Sequence, residues 1–219
     1  ATSGGGFSLM VEGLGLAAQT ETPLVIIEGM RPGPATGMPT WTGQGDLRFV
    51  MHAAQDDFPR IVVAPGDFLE AFTYTMQAFN LAEKYQLLVI VLTDKYLNEG
   101  HGTVDAKKFK IQSSEFKIDR GKMLTDQEAA QQTDYKRYLF TEDGISPRSI
   151  PGQQGGIGLS GSDEHDEHGL YNEEADIRAK MMDKRFRKFE QASKELPPPV
   201  LYGEKDAPLT VVGFGSTKM

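Results

Sequence analysis

One arginine stands among three prolines and two glycines in the segment RPGPATGMPT, residues 31–40, which follows the apolar run PLVII after the three residues EGM. Arginine offers a planar fork of N–H donors that binds a carboxylate through two parallel, charge-assisted hydrogen bonds. Prolines restrict φ and lower the entropy that a loop loses when it is ordered around a ligand. We therefore expect Arg31 and the hydroxyl of Thr40 to bind a small acid. The alternative is a surface arginine, paired beside a proline-rich turn.

A glycine run near the start of the chain is a second candidate for anion binding. Ser3, Gly4, Gly5 and Gly6 precede the helical pattern FSLMVEGLGLAAQT. Glycines let backbone N–H groups approach an anion at the positive end of a helix. The alternative is a purely structural role, in which the glycines allow a tight turn from a strand into a helix.

The segment SDEHDEHG holds two histidines and four carboxylates, which invites a metal-binding interpretation. His165 and His168, with Asp163 and Asp166, are the candidate ligands. Zinc ligands, however, usually lie on ordered elements backed by a second shell of hydrogen bonds, whereas this stretch has the composition of a loop. We expect a solvated or partner-facing acidic loop and no metal site.

Strands and helices must position these side chains. Three apolar runs of strand length, PLVIIEG, RIVVAPG and LLVIVLTD, alternate with the helical patterns QGDLRFVMHAAQ and DFLEAFTYTMQAFNLAEKYQ. Strands that are apolar throughout are typical of a parallel sheet covered by helices on both faces. The sequence therefore predicts an α/β fold. Arg31 directly follows the first strand, at the edge where open α/β sheets bind their ligands.

Two long helices are predicted from periodic apolar residues. In the first, Asp67 and Glu70 fit a capping box, and the helical spacing predicts an apolar face of Phe68, Phe72, Met76 and Phe79. In the second, at 173–196, the predicted apolar face comprises Ile177, Met181, Met182, Phe186 and Phe189. Because acidic residues are interleaved with them, the basic residues of this helix predict a solvated, salt-bridged face: Lys180, Lys184, Arg185, Arg187 and Lys188.

Four regions divide the chain. Residues 1–95 are predicted to form part of an α/β domain, and 96–172 a long excursion over a partner surface, since such lengths without periodicity are unusual inside a compact domain. A helix at 173–196 ends at three prolines. Residues 205–219 predict the first strand and glycine-rich turn of a second α/β domain. We expect both ends of the chain to lie within domains.

Composition restricts the function classes. The 219 residues, 39% hydrophobic and 25% charged, are typical of a soluble globular protein. A net charge of −8 argues against a nucleic-acid-binding surface. The absence of an apolar run of about 20 residues, and of a basic stretch with an apolar segment at the start, argues against membrane spanning and secretion, so we expect a cytoplasmic location. Without cysteine the chain cannot itself supply thiolates to a cluster.

Longer motifs resemble a known family. The stretch ATSGGGFSLMVEGLGLAAQTETPLVIIEGMRPGPATGMPTWTGQGDL, followed by FPRIVVAPGD, AFNLAEKYQ and VIVLTDKYL, is similar to the α subunit of 2-oxoacid:ferredoxin oxidoreductases, including the 2-oxoglutarate enzymes. The likeness continues through EDGISPR, PGQQGG and ADIRAKMMDKR to TVVGFGSTK. It implies an internal portion of that subunit, from the domain that binds the thiamine diphosphate pyrimidine into a transketolase C-terminal-like domain.

The resemblance implies both an activity and site residues. Enzymes of this family convert a 2-oxoacid and coenzyme A into acyl-CoA and CO2, and reduce ferredoxin. By position, Arg31 corresponds to the arginine that holds the substrate carboxylate, and Thr40 to a threonine of the same pocket. The run Ser3 to Gly6 would lie near the thiamine diphosphate, whose pyrimidine this domain covers. No catalytic residue is assigned to this chain.

The resemblance also implies partners. A β subunit would bind the cofactor's diphosphate through Mg2+ and carry a 4Fe-4S cluster, which would account for the missing cysteines. An N-terminal segment would supply a Y-P-I-T-P motif and the glutamate that pairs with the aminopyrimidine. Ferredoxin, coenzyme A and a 2-oxoacid complete the expected partners, with no nucleic acid and no membrane. Ala35, Gly43 and the pair Gly29 and Met30 depart from common family residues and leave the substrate range open.

Two alternatives remain open from the sequence. The chain could be a non-catalytic assembly fragment that docks partner chains, or a subunit of a transketolase-like thiamine enzyme. Both would share the α/β fold, so the distinction depends on the site.

Overall fold

A parallel sheet flanked by helices forms the centre of the structure, a computed structural model that describes residues 1–109, 116–204 and 206–219. This confirms the α/β class. The elements named below are, in chain order, α1 (Gly5–Ser8), α2 (Val11–Gln19), β1 (Leu24–Met30), α3 (Leu47–His52), β2 (Arg60–Val63), α4 (Phe68–Tyr85), β3 (Leu88–Asp94), α5 (Lys95–Glu99), α6 (Asp126–Ala130), α7 (Ala175–Ser193) and a 3-10 helix (Gly215–Lys218).

The three strands lie in the order β1-β3-β2, and both pairs are parallel. Thr2 extends the sheet beyond β1: its N–H donates to the Ile27 carbonyl at 2.8 Å, and the Gly29 N–H donates to the Thr2 carbonyl at 2.9 Å. Parallel strands end at the same edge. Arg31, which follows β1, and Asp94, the last residue of β3, therefore lie at one carboxyl edge of the sheet.

Two apolar clusters cover the two faces of the sheet. Alternate residues of the fully buried strand β3 enter different clusters, as the period of a strand requires. On one face Ile90 packs with α1, α2 and α3 through residues such as Phe7 and Leu14. On the other, Val89 packs with α4 and α7 through residues such as Leu81. Helices on both faces confirm the predicted architecture.

Helix α4 begins where predicted, but its buried face differs from the prediction. The Asp67 carboxylate accepts a hydrogen bond from the Glu70 N–H at 2.8 Å, while Glu70 accepts from the Gly66 N–H rather than from that of Asp67. The predicted stripe of Phe68, Phe72, Met76 and Phe79 is wrong as a buried face, because Phe79 is 46% exposed. Helical spacing alone does not show which side of a helix meets the sheet, and the residues that α4 buries are Ala78, Leu81, Ala82 and Tyr85.

The described part of the region 96–172 is held on this chain's own α/β unit, and its contact with a partner surface stays a prediction. The Arg137 guanidinium donates to the Gln86 side chain and to the Glu21 carbonyl, both at 2.9 Å. Gln86 in turn donates to the Ser146 carbonyl at 2.7 Å. The sequence analysis did not foresee these internal contacts, because polar loop composition does not reveal hydrogen bonds between distant segments. Residues 110–115 lie outside the described residues.

The strand predicted within 205–219 is not formed. In this segment Leu209, Val211 and Val212 are between 76% and 91% exposed, and a 3-10 helix follows at Gly215–Lys218. An apolar run becomes a strand only where a neighbouring strand pairs with its backbone. The described sheet offers this segment no such pairing. Residue 205 lies outside the described residues.

Helix α7 matches the helix predicted at 173–196, but its buried face is basic rather than apolar alone. Lys184 and Lys188 are each 1% exposed, and both bind the Glu21 carboxylate at 2.6 to 2.7 Å. The predicted solvated basic face is therefore wrong for these two lysines and for the buried Arg185. Of the predicted apolar face, Met181 is buried whereas Phe186 is 39% exposed.

The helices give no sign of a membrane span. In the part of the chain that the structure describes, none is both long enough and apolar enough to cross a bilayer.

Candidate functional site

Arg31 and the glycine run lie side by side at the carboxyl edge of β1. A Cβ atom placed on Gly4 would lie 3.4 Å from Arg31 Nε and 3.8 Å from Arg31 Nη2. Gly4 has φ of 48°, which L side chains rarely adopt, so the backbone conformation favours glycine here. Arg31 itself is half-buried, and its Nε has no hydrogen-bond partner among the described residues. One end of the guanidinium group is therefore enclosed beside the glycine run.

The proline-rich loop after Arg31 closes on itself. The Met38 N–H donates to the Pro32 carbonyl at 3.0 Å. Gly37 has φ of 53°, and a Cβ atom there would lie only 2.0 Å from the same carbonyl oxygen. Gly43 packs against the Pro32 ring, which a Cβ atom would approach to 3.1 Å. These contacts agree with a loop whose conformation is fixed before any ligand arrives.

Thr40 lines a cleft with neighbours different from those found beside Arg31. It is exposed and lines a cleft of about 500 Å³ with Trp41, Phe68, Tyr96 and others, and Arg31 is not among the described residues lining that cleft. The structure thus brings Arg31 together with Gly4 but does not bring Thr40 into the same pocket. The paired role of Arg31 and Thr40 stays a prediction.

Glu28 is a site residue that the sequence reasoning missed. It lies in β1, is 1% exposed, and its Oε1 accepts a hydrogen bond from the Gly4 N–H at 2.9 Å. Its Oε2 is buried and has no partner among the described residues. Burial raises the pKa of Glu28 to about 7, Asp46 adds to the rise, and the Gly4 N–H and Arg31 oppose it. A charged residue within an apolar strand, PLVIIEG, was the available signal.

Unpaired polar atoms concentrate around this edge. Glu28 Oε2, Arg31 Nε and Asp46 Oδ2 are all buried without a hydrogen-bond partner among the described residues. Burial also raises the pKa of Asp46. A buried polar group left unpaired costs roughly 1 to 3 kcal/mol, so native structures hold few of them. Asp46 and Arg31 both act on the charge of Glu28, so these three unpaired groups indicate a place where further polar partners would complete the site.

Asp94, at the end of β3, is occupied by the chain itself. Its carboxylate accepts hydrogen bonds from Gln44 at 3.0 Å, from the Ser216 hydroxyl at 2.6 Å and from the Leu97 N–H at 3.1 Å. Burial alone would raise its pKa, but the bonds from Ser216 and Gln44 lower it. The Phe214 carbonyl also accepts from Gln44, so the segment 214–218 is docked on the carboxyl edge. No pattern in the sequence indicates this contact.

The histidine segment is part of the packed structure and not a solvated loop. His165 is 1% exposed and lies 3.9 Å from the Tyr138 ring, centroid to centroid. Glu164 binds Arg178 at 2.8 Å and Arg185 at 2.7 Å. Burial would raise the pKa of Glu164, but the two arginines hold it at about 2. In the described part of the chain no three potential ligands are grouped so as to hold a metal ion.

The sheet, the helices on both faces and the glycine run at the carboxyl edge define a cofactor-binding α/β domain. A family model described as "Pyruvate flavodoxin/ferredoxin oxidoreductase, thiamine diP-bdg" matches residues 1–184. The chain belongs to this family, and the resemblance noted in the sequence to the α subunit of 2-oxoacid:ferredoxin oxidoreductases is confirmed.

Three relatives show the extent of the likeness. The α subunit of 2-oxoacid:ferredoxin oxidoreductase 1 from Sulfurisphaera tokodaii is 43% identical over 99% of this chain and 34% of its own length. The 2-oxoglutarate synthase subunit KorA from Methanothermobacter marburgensis is 46% identical over 46% of this chain and 26% of its own length. The structure of the 2-oxoglutarate:ferredoxin oxidoreductase from Magnetococcus marinus, with 2-oxoglutarate, coenzyme A and succinyl-CoA bound, is 34% identical, with a TM-score of 0.79 over 94% of this chain and 35% of that one. The chain therefore spans about a third of the relatives that it matches over its whole length.

The residues at the carboxyl edge fit the polar groups of a thiamine enzyme's site. Gly4 has a positive φ and Gly5 has open space where a side chain would lie, so a ligand can approach the backbone closely there. The unpaired Glu28, Arg31 and Asp46 atoms supply acceptors and a donor that no group of the described residues uses. Such a set suits a ligand bearing both carboxylate and amine groups.

Proposed function

We propose that this chain is part of the α subunit of a thiamine diphosphate-dependent 2-oxoacid:ferredoxin oxidoreductase. The reaction is the oxidative decarboxylation of a 2-oxoacid to acyl-CoA, with reduction of ferredoxin. This chain holds the substrate carboxylate and covers the cofactor pyrimidine. The observation that supports the proposal most strongly is the enclosed Arg31 guanidinium beside Gly4 at the carboxyl edge. Family membership supports the class of cofactor.

In this proposal, Arg31 binds the carboxylate of the substrate and anchors it. Its guanidinium is half-buried, and partial exclusion of water strengthens a charge-assisted bond to a carboxylate. The closed loop from Pro32 to Met38 fixes the backbone that follows it, so little ordering is needed when substrate binds. Fixing the carboxylate places the adjacent keto carbon for reaction. Thr40 is proposed as a second contact that closes on the substrate in the assembled enzyme.

In this proposal, the glycine run forms a turn that faces the cofactor. The Gly4 N–H is held by Glu28, while Gly5 has open space where a side chain would lie. Backbone can therefore approach a flat ring closely at this point. Thiamine diphosphate, when bound, supplies a carbanion nucleophile and an electron sink for decarboxylation. The protein's own contribution here is orientation and exclusion of water.

Partner chains are part of the proposal. The curated relatives are named as α subunits, which supports a β subunit. We propose that this β subunit carries Mg2+ and a 4Fe-4S cluster, since the present chain has no cysteine. Further α-subunit sequence, ferredoxin, coenzyme A and a 2-oxoacid complete the working enzyme.

Reconstitution tests this function. The full α subunit, assembled with its β subunit, thiamine diphosphate and Mg2+, is expected to reduce methyl viologen when both 2-oxoglutarate or pyruvate and coenzyme A are supplied. A sugar phosphate donor with an aldose acceptor serves as the control for a transketolase-like enzyme and should give no product. Assembly without 2-oxoacid-dependent reduction would contradict the proposal and favour an assembly role.

A further inference from the structure

Glu28 occupies a position where an apolar residue would be expected. It lies in the otherwise apolar strand β1, three residues before Arg31, and is 1% exposed. A carboxyl group there loses its hydration, which disfavours the ionised form. The other buried residues of β1, Ile26 and Met30, belong to the apolar cluster on one face of the sheet. Glu28 therefore contributes something other than apolar packing.

Its contacts connect the two halves of the candidate site. Glu28 Oε1 accepts the Gly4 N–H at 2.9 Å and so ties the glycine run to β1. Gly4 in turn lies against the Arg31 side chain, as the 3.4 Å spacing from its Cβ position to Nε shows. Glu28 Oε2 and Arg31 Nε, both buried, are left without partners among the described residues. The Glu28 carboxyl group thus binds the glycine turn and also interacts with the charge of Arg31.

We propose that Glu28 is a positioning residue, which holds Gly4 against β1 and, through its own charge, sets how strongly Arg31 binds a substrate carboxylate. This inference rests on the proposed function, in which Arg31 binds a 2-oxoacid. It adds Glu28 to the residues of the site and makes the affinity for the substrate dependent on pH. When Glu28 is protonated, the positive charge of Arg31 is available to the substrate. When Glu28 is ionised, it offsets that charge and repels a second carboxylate.

The charged surroundings give the direction of the effect. The charged groups that act on Glu28 are Asp46, which precedes α3, and Arg31. On the neighbouring strand β3, Asp94 is engaged by Gln44 and Ser216. With a pKa of about 7, raised chiefly by burial, Glu28 changes charge near neutral pH. Affinity for the substrate carboxylate is therefore expected to fall as the pH rises through about 7.

Binding measurements on the full αβ complex test this inference. 2-Oxoglutarate is titrated by calorimetry into the complex free of thiamine diphosphate, between about pH 6 and about pH 8.5, a range that brackets neutral pH. For wild type, Kd is expected to increase about threefold to tenfold over this range. Glu28→Gln keeps the shape of the side chain and cannot ionise. Over the whole pH range, its Kd should therefore stay near the value that wild type has at low pH. Glu190→Gln, at an exposed position on α7, is the matched control and should follow wild type.

A second variant separates positioning from charge. Glu28→Asp retains the carboxylate but is one methylene too short to hold Gly4 in place. It should keep a dependence on pH while binding 2-oxoglutarate more weakly than wild type at every pH. This variant also keeps the inference testable if Glu28→Gln fails to assemble. In the viologen assay, the same variants should change KM for 2-oxoglutarate with little change in kcat.

Three results would overturn the inference. One is a Glu28→Gln complex with the wild-type dependence on pH, and another is a wild-type complex whose Kd does not change over the range. The third is Glu28→Asp binding as tightly as wild type. In each case wild type would still bind and turn over the 2-oxoacid, so the proposed function would stand. A wild-type complex that neither binds nor turns over any 2-oxoacid would instead overturn both.

Discussion

At the scale of single residues, the site is defined by atoms that lack partners. Arg31 Nε, Glu28 Oε2 and Asp46 Oδ2 are buried and unpaired among the described residues, whereas Asp94 nearby accepts three hydrogen bonds. The unpaired atoms are available to a ligand, whereas the Asp94 carboxylate is already engaged by the chain. Asp94 fastens the segment 214–218 to the edge of the sheet. The three unpaired atoms are the part of the carboxyl edge that is suited to bind a ligand.

Glu28→Gln is expected to stabilise the protein more at high pH than at low pH. The pKa of Glu28 is raised from 4.5 to about 7 in the folded state, chiefly by burial. The contribution of the protonated group to stability is complete below pH 4.5 and is lost as the pH rises through 7. Glutamine does not ionise, so the gain over wild type should reach about 1 to 3 kcal/mol near pH 8.

Thermal unfolding of wild type and variant α subunit between about pH 5 and about pH 8 measures this difference. Glu190→Gln, at an exposed position, serves as the control and should show no such trend. Equal pH dependence in wild type and Glu28→Gln would show that Glu28 is already ionised in the folded protein at neutral pH.

At the scale of elements, α7 is held to the α/β unit by a buried ionic cluster of Glu21, Lys184 and Lys188. Both lysine ammonium groups bind one carboxylate, and Lys188 also donates to the Gln86 carbonyl at 2.9 Å. Burial would raise the pKa of Glu21, but the two lysines lower it. Burial lowers the pKa of Lys188 to about 7. The cluster thus carries one more potential positive charge than negative.

Removal of the shared carboxylate should be far more damaging than removal of one lysine. Glu21→Gln leaves two buried ammonium groups without an anion and is expected to cost about 3 to 5 kcal/mol. Lys188→Met leaves a one-to-one pair of Glu21 and Lys184 and should cost less than about 1.5 kcal/mol. Lys180→Met, at an exposed position on the same helix, is the control and should lie within about 0.5 kcal/mol of wild type.

Urea denaturation followed by circular dichroism gives these free energies of unfolding. An equal cost for Glu21→Gln and Lys188→Met would mean that the cluster does not share one carboxylate as described.

Sequence reasoning succeeded where a local pattern carries the information. The apolar runs fix three strands, and with them the position of Arg31 after β1. It failed for Lys184, because the partner Glu21 is 163 residues away and a basic helix face looks solvated in isolation. It failed for the apolar face of α4, since the helix buries Ala78 and Ala82 rather than the aromatic stripe. Glu28 is visible in the sequence as a charged residue inside a predicted strand, but it was treated as part of the apolar run.

At the scale of the whole molecule, the carboxyl edge of the sheet gathers segments from across the chain. The glycine run, the loop after β1, the end of β3 and the segment 214–218 all meet there. The chain spans about a third of relatives named as oxidoreductase α subunits, so this edge is proposed to be completed by further chain and by a β subunit. The central claim is that Arg31 anchors the substrate carboxylate within that larger site.

Steady-state kinetics of Arg31→Lys in the reconstituted αβ complex test this claim most directly. Lysine keeps the charge but lacks the planar fork, so kcat/KM for the 2-oxoacid is expected to fall about 10-fold to 1000-fold, equivalent to about 1.4 to 4 kcal/mol of transition-state stabilisation. KM for coenzyme A should change little, and the complex should assemble as wild type does. Wild-type kcat/KM for the 2-oxoacid in Arg31→Lys would contradict the account and remove Arg31 from the site.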